Sequence, residues 1–158
     1  MNLDRSITSP TAQRLSLLLL RATTGFLLVW SGLNKLVTAS TPFAVHRHLE
    51  VDATTGAVLG VATGGAQLVI GALCVIGLWR RAALPLQALI NGFTAASVWW
   101  AIIDPWRWYI TGVDRIVFNS AVFYPTSITF AACVLLIVFR RQDTLAVDRL
   151  LSVERAPA

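Results

Sequence analysis

The chain has 158 residues, 56% of them hydrophobic and only 13% charged, about half the share of ~25% that a soluble domain carries. Its charges leave three long gaps, 53–79, 82–103 and 116–139, of 27, 22 and 24 residues. Each gap suffices for a helix to cross a hydrocarbon core of ~30 Å at ~1.5 Å per residue. That excludes a soluble globular domain, and also an outer-membrane barrel, whose strands would be ~10 residues of alternating polarity. The net charge of +5 follows from basic residues flanking apolar spans, so it gives no case for nucleic acid as a partner.

The first apolar segment is interrupted by Arg21 and followed by 13 uncharged residues before Lys35. Val37-Thr38-Ala39 offers small residues of the kind a signal peptidase accepts, but Arg21 splits what should be an unbroken apolar region. The expectation is an uncleaved helix over about 13–38, with Arg21 and Lys35 snorkelling toward opposite interfaces. The three gaps predict further helices over about 55–79, 82–103 and 116–139, then a short polar tail over 140–158. Pro85 falls in the first turn of the third helix, where its missing amide costs nothing. Pro125 removes the bond to the Ala121 carbonyl and predicts a kink.

The expected architecture is one domain, 1–158: an all-α, integral membrane four-helix bundle in a lipid bilayer. Orientation follows from the cationic residues outside the spans. Nine arginines, at 5, 14, 21, 80, 81, 140, 141, 149 and 155, fall on one side. Lys35, Arg47, Arg107 and Arg115 fall on the other. Both termini and the Trp79-Arg80-Arg81 turn are then cytoplasmic, with the 40–54 and 104–115 loops outside. Trp99, Trp100, Trp106, Trp108 and Tyr109 cluster at the outer end of the third span, as an interfacial belt would.

Small and polar residues mark where membrane helices meet. Gly56, Gly60, Gly64, Gln67, Gly71, Cys74 and Leu78 recur at spacings of three and four, a single stripe on the second helix. Arg21, Gly25, Leu28, Gly32 and Lys35 form a matching stripe on the first. Gln87, Asn91, Thr94 and Val98 do so on the third, and Asn119, Thr126 and Cys133 on the fourth. Gly25, Gly32, Gly60, Gly64 and Gly71 are the predicted packing seam. Gln67 and Asn91 lie near mid-depth, where they either hydrogen-bond between helices or line a polar pocket for a quinone-like headgroup. With Arg21 they are the candidate site residues. No acidic residue falls within the four predicted helices, which argues against a proton relay or a cation-coupled transporter. Cys74 and Cys133 stand alone and form no CxxC pair. His46 and His48 belong to a solvated loop without further ligands nearby in sequence, so no metal site is drawn. No covalently held cofactor is expected, and a haem within the bundle lacks a histidine.

Three segments carry a resemblance. RATTGFLLVWSGLNKL (21–36) is similar to the opening helix of the DoxX family, and QLVIGALCVIGLWRRAALPLQALI (67–90) to its second helix, basic turn and third helix. QDTLAVDRLL (142–151) resembles the family's C-terminal end more weakly. The resemblance implies a small four-helix inner-membrane protein related to the small membrane subunit of thiosulfate:quinone oxidoreductase. The function expected from it is a membrane subunit or anchor of a redox assembly, lining a quinone site and bound to a protein partner. A stand-alone quinone-dependent oxidoreductase and a purely structural assembly subunit are the alternatives. Where the family often has a Glu in the second helix, this chain has Gln67, a neutral amide that neither pairs with Arg21 as an ion nor exchanges a proton near neutral pH.

The charge asymmetry yields a topology test. Cysteines introduced at Ser40 or Thr111 are expected to react with an impermeant thiol reagent added outside the cell, and one at Ser152 to stay unlabelled; the reverse pattern overturns the orientation.

Overall fold

The computed structural model describes residues 9–38, 52–97 and 113–154, with backbone alone for 113–123, 150 and 152–154. The described residues are all-helical, without strands: α1 (Pro10–Thr38), α2 (Ala53–Ile76), α3 (Arg80–Ser97), α4 (Val113–Val138) and α5 (Val147–Glu154). The first two are long and apolar enough to cross a membrane. The loops 40–54 and 104–115, with His46, His48 and the aromatic cluster, lie almost wholly outside the described residues, as does the predicted end of the third helix at 98–103.

Local chemistry explains each boundary that departs from expectation. α1 begins a turn early because Ser9 Oγ accepts the Ala12 amide at 3.2 Å and Pro10 occupies the first helical position, where an amide is not needed. Asp52 caps α2 by accepting the Thr55 amide at 3.0 Å. α2 stops at Ile76, short of the expected 79, because Gly77 takes the left-handed conformation at φ 77°. The Gly77 amide bonds the Cys74 carbonyl at 3.1 Å and the Leu78 amide the Leu73 carbonyl at 2.9 Å, the paired closure of a Schellman motif. α3 starts at Arg80, so Pro85 lies inside the helix and not in its first turn, removing one bond to the Arg81 carbonyl. α4 continues across Pro125; Thr129 Oγ1 donates to the Pro125 carbonyl at 2.6 Å.

α1 and α2 make the most extensive contact, followed by α3 and α4, with lesser contacts between α2 and α3 and between α1 and α4. The residues of α2 that are buried are Gly56, Gly60, Gly64, Gln67, Gly71 and Cys74, the predicted stripe without Leu78, which lies beyond the helix end and is half-buried. Across from them α1 buries Arg21, Thr24, Gly25, Leu28 and Gly32. The glycines meet in two reciprocal pairs. A Cβ on Gly25 would lie 2.9 Å from the Gly71 carbonyl oxygen, and one on Gly71 2.8 Å from that of Gly25. Gly32 and Gly64 face each other likewise, at 2.6 and 3.0 Å. These pairs fix an antiparallel register and bring the two backbones closer than any side chain would allow.

The third stripe runs through Gln87, Asn91 and Ala95, with Thr94 only half-buried. Among the described side chains of α4, Thr129, Ala132, Cys133 and Leu136 are buried, whereas Thr126 of the expected stripe is half-buried. Cys74, Ala83, Leu84 and Leu136 make the apolar core. The outward face is apolar too: Trp30 is 64% and Leu89 68% exposed, with Phe26, Phe93 and Ile128 similarly placed.

The glycine register gives a stability test. Gly71→Leu would force α1 and α2 apart and is expected to cost about 1–3 kcal/mol, the usual range for overpacking. Gly65→Leu, with nothing within 4 Å of its Cβ position, is expected to leave the melting temperature in detergent nearly unchanged. Equal losses in the two variants would show the seam to be elsewhere.

Candidate functional site

The described polar side chains gather at two places along α1. One lies at the end of the molecule that carries the α2–α3 turn, and the other lies farther along the α1–α2 seam.

At the turn, Arg21 is 1% exposed. Its guanidinium sits against Gly77, where any side chain would occupy its place, so this glycine serves both the turn and the contact. Arg21 Nη2 donates to the Leu145 carbonyl at 2.9 Å, and Nε stands 3.4 Å from Asp143 Oδ2, an ion pair without hydrogen-bond alignment. The same Oδ2 accepts from Arg80 Nη1 at 3.1 Å, and Nη1 also donates to the Asp143 carbonyl at 2.8 Å. Asp143 is 2% exposed. One carboxylate is thus shared by two arginines from different helices.

Asp148 completes the cluster. Its two carboxylate oxygens accept the Trp79 and Arg80 amides at 2.9 and 3.0 Å, and Arg80 Nε approaches at 3.4 Å. It therefore caps the start of α3, where the helix dipole favours negative charge. These bonds hold Trp79 at φ 51°, an uncommon conformation for a residue with a Cβ. Partial burial pushes the Asp148 carboxyl up, but the two amides and the Arg80 guanidinium outweigh it and hold the group below its ordinary value.

The segment expected to be a short polar tail is therefore docked. Residues 139–146 fold back over the turn, α5 follows, and Asp143 and Asp148 supply the carboxylates that the predicted helices lack. Four groups, Arg21, Arg80, Asp143 and Asp148, balance to zero charge. The signal in the sequence was the pair of acids in QDTLAVDRLL, five residues apart and beside a run of arginines. Distance along the chain hid their partners.

The second place centres on Gln67, 7% exposed. Its Oε1 accepts from Lys35 Nζ at 2.8 Å and Ser31 Oγ at 3.3 Å. Lys35 therefore does not snorkel toward the nearer end of α1 but reaches inward along α2. Asn91 Nδ2 donates to the Gln87 carbonyl at 2.9 Å, and Gln87 Nε2 to the Thr24 carbonyl at 2.7 Å. Gln87 Oε1 has no hydrogen-bond partner.

The three candidates from sequence occupy different surroundings. Arg21 lies beside Gly77, ten residues and hence ~15 Å of helix from Gln67. Gln67 packs against Gly32. Asn91 lies one turn beyond Gln87, which bonds at the level of Thr24, so Gln67 and Asn91 share a level without bonding each other. Arg21 and Gln67, expected to face each other across the seam, do not: Arg21 takes Asp143 as partner, and Gln67 meets Ser31 and Lys35. Cys74 and Cys133 are both free thiols, fully buried.

Comparison of the chain with protein-family models, with curated proteins and with solved structures returned no match.

Two tests follow from the ionic cluster. Asp143→Ala leaves the buried Arg21 without a carboxylate and Arg80 with Asp148 alone, and is expected to cost ~3–5 kcal/mol, the range for breaking a buried ion pair from one side. Asp148 gives the second test. Its folded pKa is depressed, so its stabilisation is complete above the ordinary carboxylate value of ~3.9 and is lost as pH falls through the lower folded value. The melting-temperature gap between wild type and Asp148→Ala is expected to be constant near neutrality and to close below about pH 4; a constant gap down to pH 2 would deny the cap its charge.

Proposed function

We infer that the chain is a four-helix integral membrane protein with both termini cytoplasmic, serving as an anchor subunit of a redox assembly in the bacterial inner membrane. The observation that carries the membrane part is the partition of side chains. Large apolar residues such as Phe26, Trp30, Leu89, Phe93 and Ile128 point outward, whereas Arg21, Arg80, Asp143, Gln67, Gln87 and Asn91 are buried. A surface in water would expose the second group and bury the first; lipid favours the reverse.

The redox part rests on the resemblance of 21–36 and 67–90 to the DoxX family. A non-catalytic role fits the site chemistry. Arg21, Arg80, Asp143 and Asp148 spend their charges on each other, and the cluster holds the C-terminal segment in place. A quinone headgroup is the second reading, favoured by Gln67 and Asn91 sharing a level within the seam.

The chain is expected to stay in the membrane pellet after alkaline carbonate extraction, and to co-purify in mild detergent with a flavin-, haem- or iron–sulfur-bearing partner visible by absorbance. A chain released by carbonate overturns the membrane reading. A chain purified alone and colourless, with no quinone reductase activity, overturns the redox reading. Gln67→Leu and Asn91→Leu are each expected to weaken the binding of a quinone analogue; unchanged affinity in both, or none in wild type, removes the quinone.

A further inference from the structure

Lys35 is an anomaly of direction. It lies three residues before the end of α1, and its Cβ stands 3.1 Å from the Cβ position of Gly64. Yet its ammonium bonds Gln67, one turn farther along α2 and back toward the middle of α1. The tilt of Cα–Cβ bonds toward a helix N-terminus accounts for the aim, since a lysine near the C-terminal end of α1 then points back along its own helix. Three donors on Nζ meet one acceptor. Among the described residues no carboxylate pairs with Lys35; the ion pairs are those of Arg21 and Arg80. Lys35 is half-buried, and a cation beside apolar surroundings without a counter-charge is costly.

Counting donors and acceptors defines what is missing. Facing the ammonium forces Gln67 Oε1 toward Lys35 and leaves the amide Nε2 on the other side. Oε1 is filled by Lys35 and by the Ser31 hydroxyl. Nε2 carries two hydrogens and has no partner among the described residues; although Gln67 as a whole is more than nine-tenths buried, this atom, unlike Gln87 Oε1, is open to its surroundings. Two N–H groups of Lys35 are also unspent. The three side chains together offer four unfilled N–H donors and one positive charge; their only unfilled acceptor is Ser31 Oγ.

We propose that Ser31, Lys35 and Gln67 form a binding site for an oxyanion, carried by an anionic lipid headgroup or by a small soluble anion. A neutral carbonyl would fill the donors and leave the charge; an oxyanion answers both. Its oxygens take the free hydrogens of Lys35 Nζ and Gln67 Nε2, and its charge is the counter-charge that no carboxylate among the described residues supplies. The site goes beyond the anchor reading and needs no redox partner.

The test uses the full chain in detergent with sulfate against chloride at equal ionic strength. A second arm uses nanodiscs of phosphatidylcholine with and without phosphatidylglycerol. Sulfate, phosphatidylglycerol or both are expected to raise the wild-type melting temperature and that of Lys35→Arg and the exposed control Arg81→Gln. Lys35→Met and Gln67→Leu are expected to lose the rise, with affinity for the stabilising anion lower by about tenfold or more, the effect of removing a charged hydrogen bond. Without either anion, Lys35→Met is expected to melt higher than wild type, because it removes an unpaired charge. If Lys35→Met fails to fold, Gln67→Leu, which keeps the cation, decides alone. A rise shared equally by the deficient variants, or no rise with either probe, overturns the site. Binding of a neutral quinone analogue that sulfate and phosphatidylglycerol do not displace overturns it in favour of the quinone. Carbonate extraction is read separately, so loss of the anion site leaves the membrane reading standing.

Discussion

The shared carboxylate of Asp143 is the constraint on which one end of the molecule depends. Arg21 from α1 and Arg80 from the start of α3 both reach it, at 3.4 and 3.1 Å, and all three side chains are at least 95% buried. Two guanidinium groups at that depth repel one another and cannot find water. A single anion between them turns the repulsion into a link among α1, α3 and the C-terminal segment. Asp148 extends the link by capping α3, and Gly77 leaves room for the Arg21 head. Desolvating such a cluster is expensive, so its consequence is less a gain in stability than a specified arrangement, in which docking of residues 143–148 leaves both arginines paired.

Away from that end, contact geometry takes over from charge. The Gly25–Gly71 and Gly32–Gly64 pairs set the register of α1 against α2 by excluding side chains from the crossing. That register then decides which polar groups meet. Arg21 reaches Gly77 and the docked segment, while Ser31 and Lys35 meet Gln67. The same antiparallel register separates Arg21 from Gln67 and brings Gln67 to the level of Asn91. Packing of small residues thus distributes the chemistry of the seam into an ion-paired end and a donor-rich middle.

Much of this was legible in the sequence because it depends on local spacing. Stretches without charge gave the helices, and glycine recurrence every three or four residues gave the buried face of α2 as far as Cys74, but not Leu78, which lies past the helix end. Caps shifted the boundaries by a turn or less: Ser9-Pro10 lengthened α1, Asp52 lengthened α2, and Gly77 shortened it. On α3 the buried line passes through Ala95 and not Thr94, since an alanine packs at a helix contact as well as a polar residue does and carries no polar signal.

Partnerships across the chain were not legible. Arg21 and Asp143 are 122 positions apart, and nothing in either neighbourhood names the other; only the folded turn at Gly77 brings the C-terminal segment to them. The inward aim of Lys35 likewise depends on helix direction and on the space that Gly64 leaves. The sequence by itself determined the all-helical class, the apolar outer faces and the glycine seam, because those follow from periodicity and composition. Tertiary structure alone decided which charge meets which carboxylate and which donors are left unfilled, because pairing energies act between groups that only the register of packed helices makes neighbours.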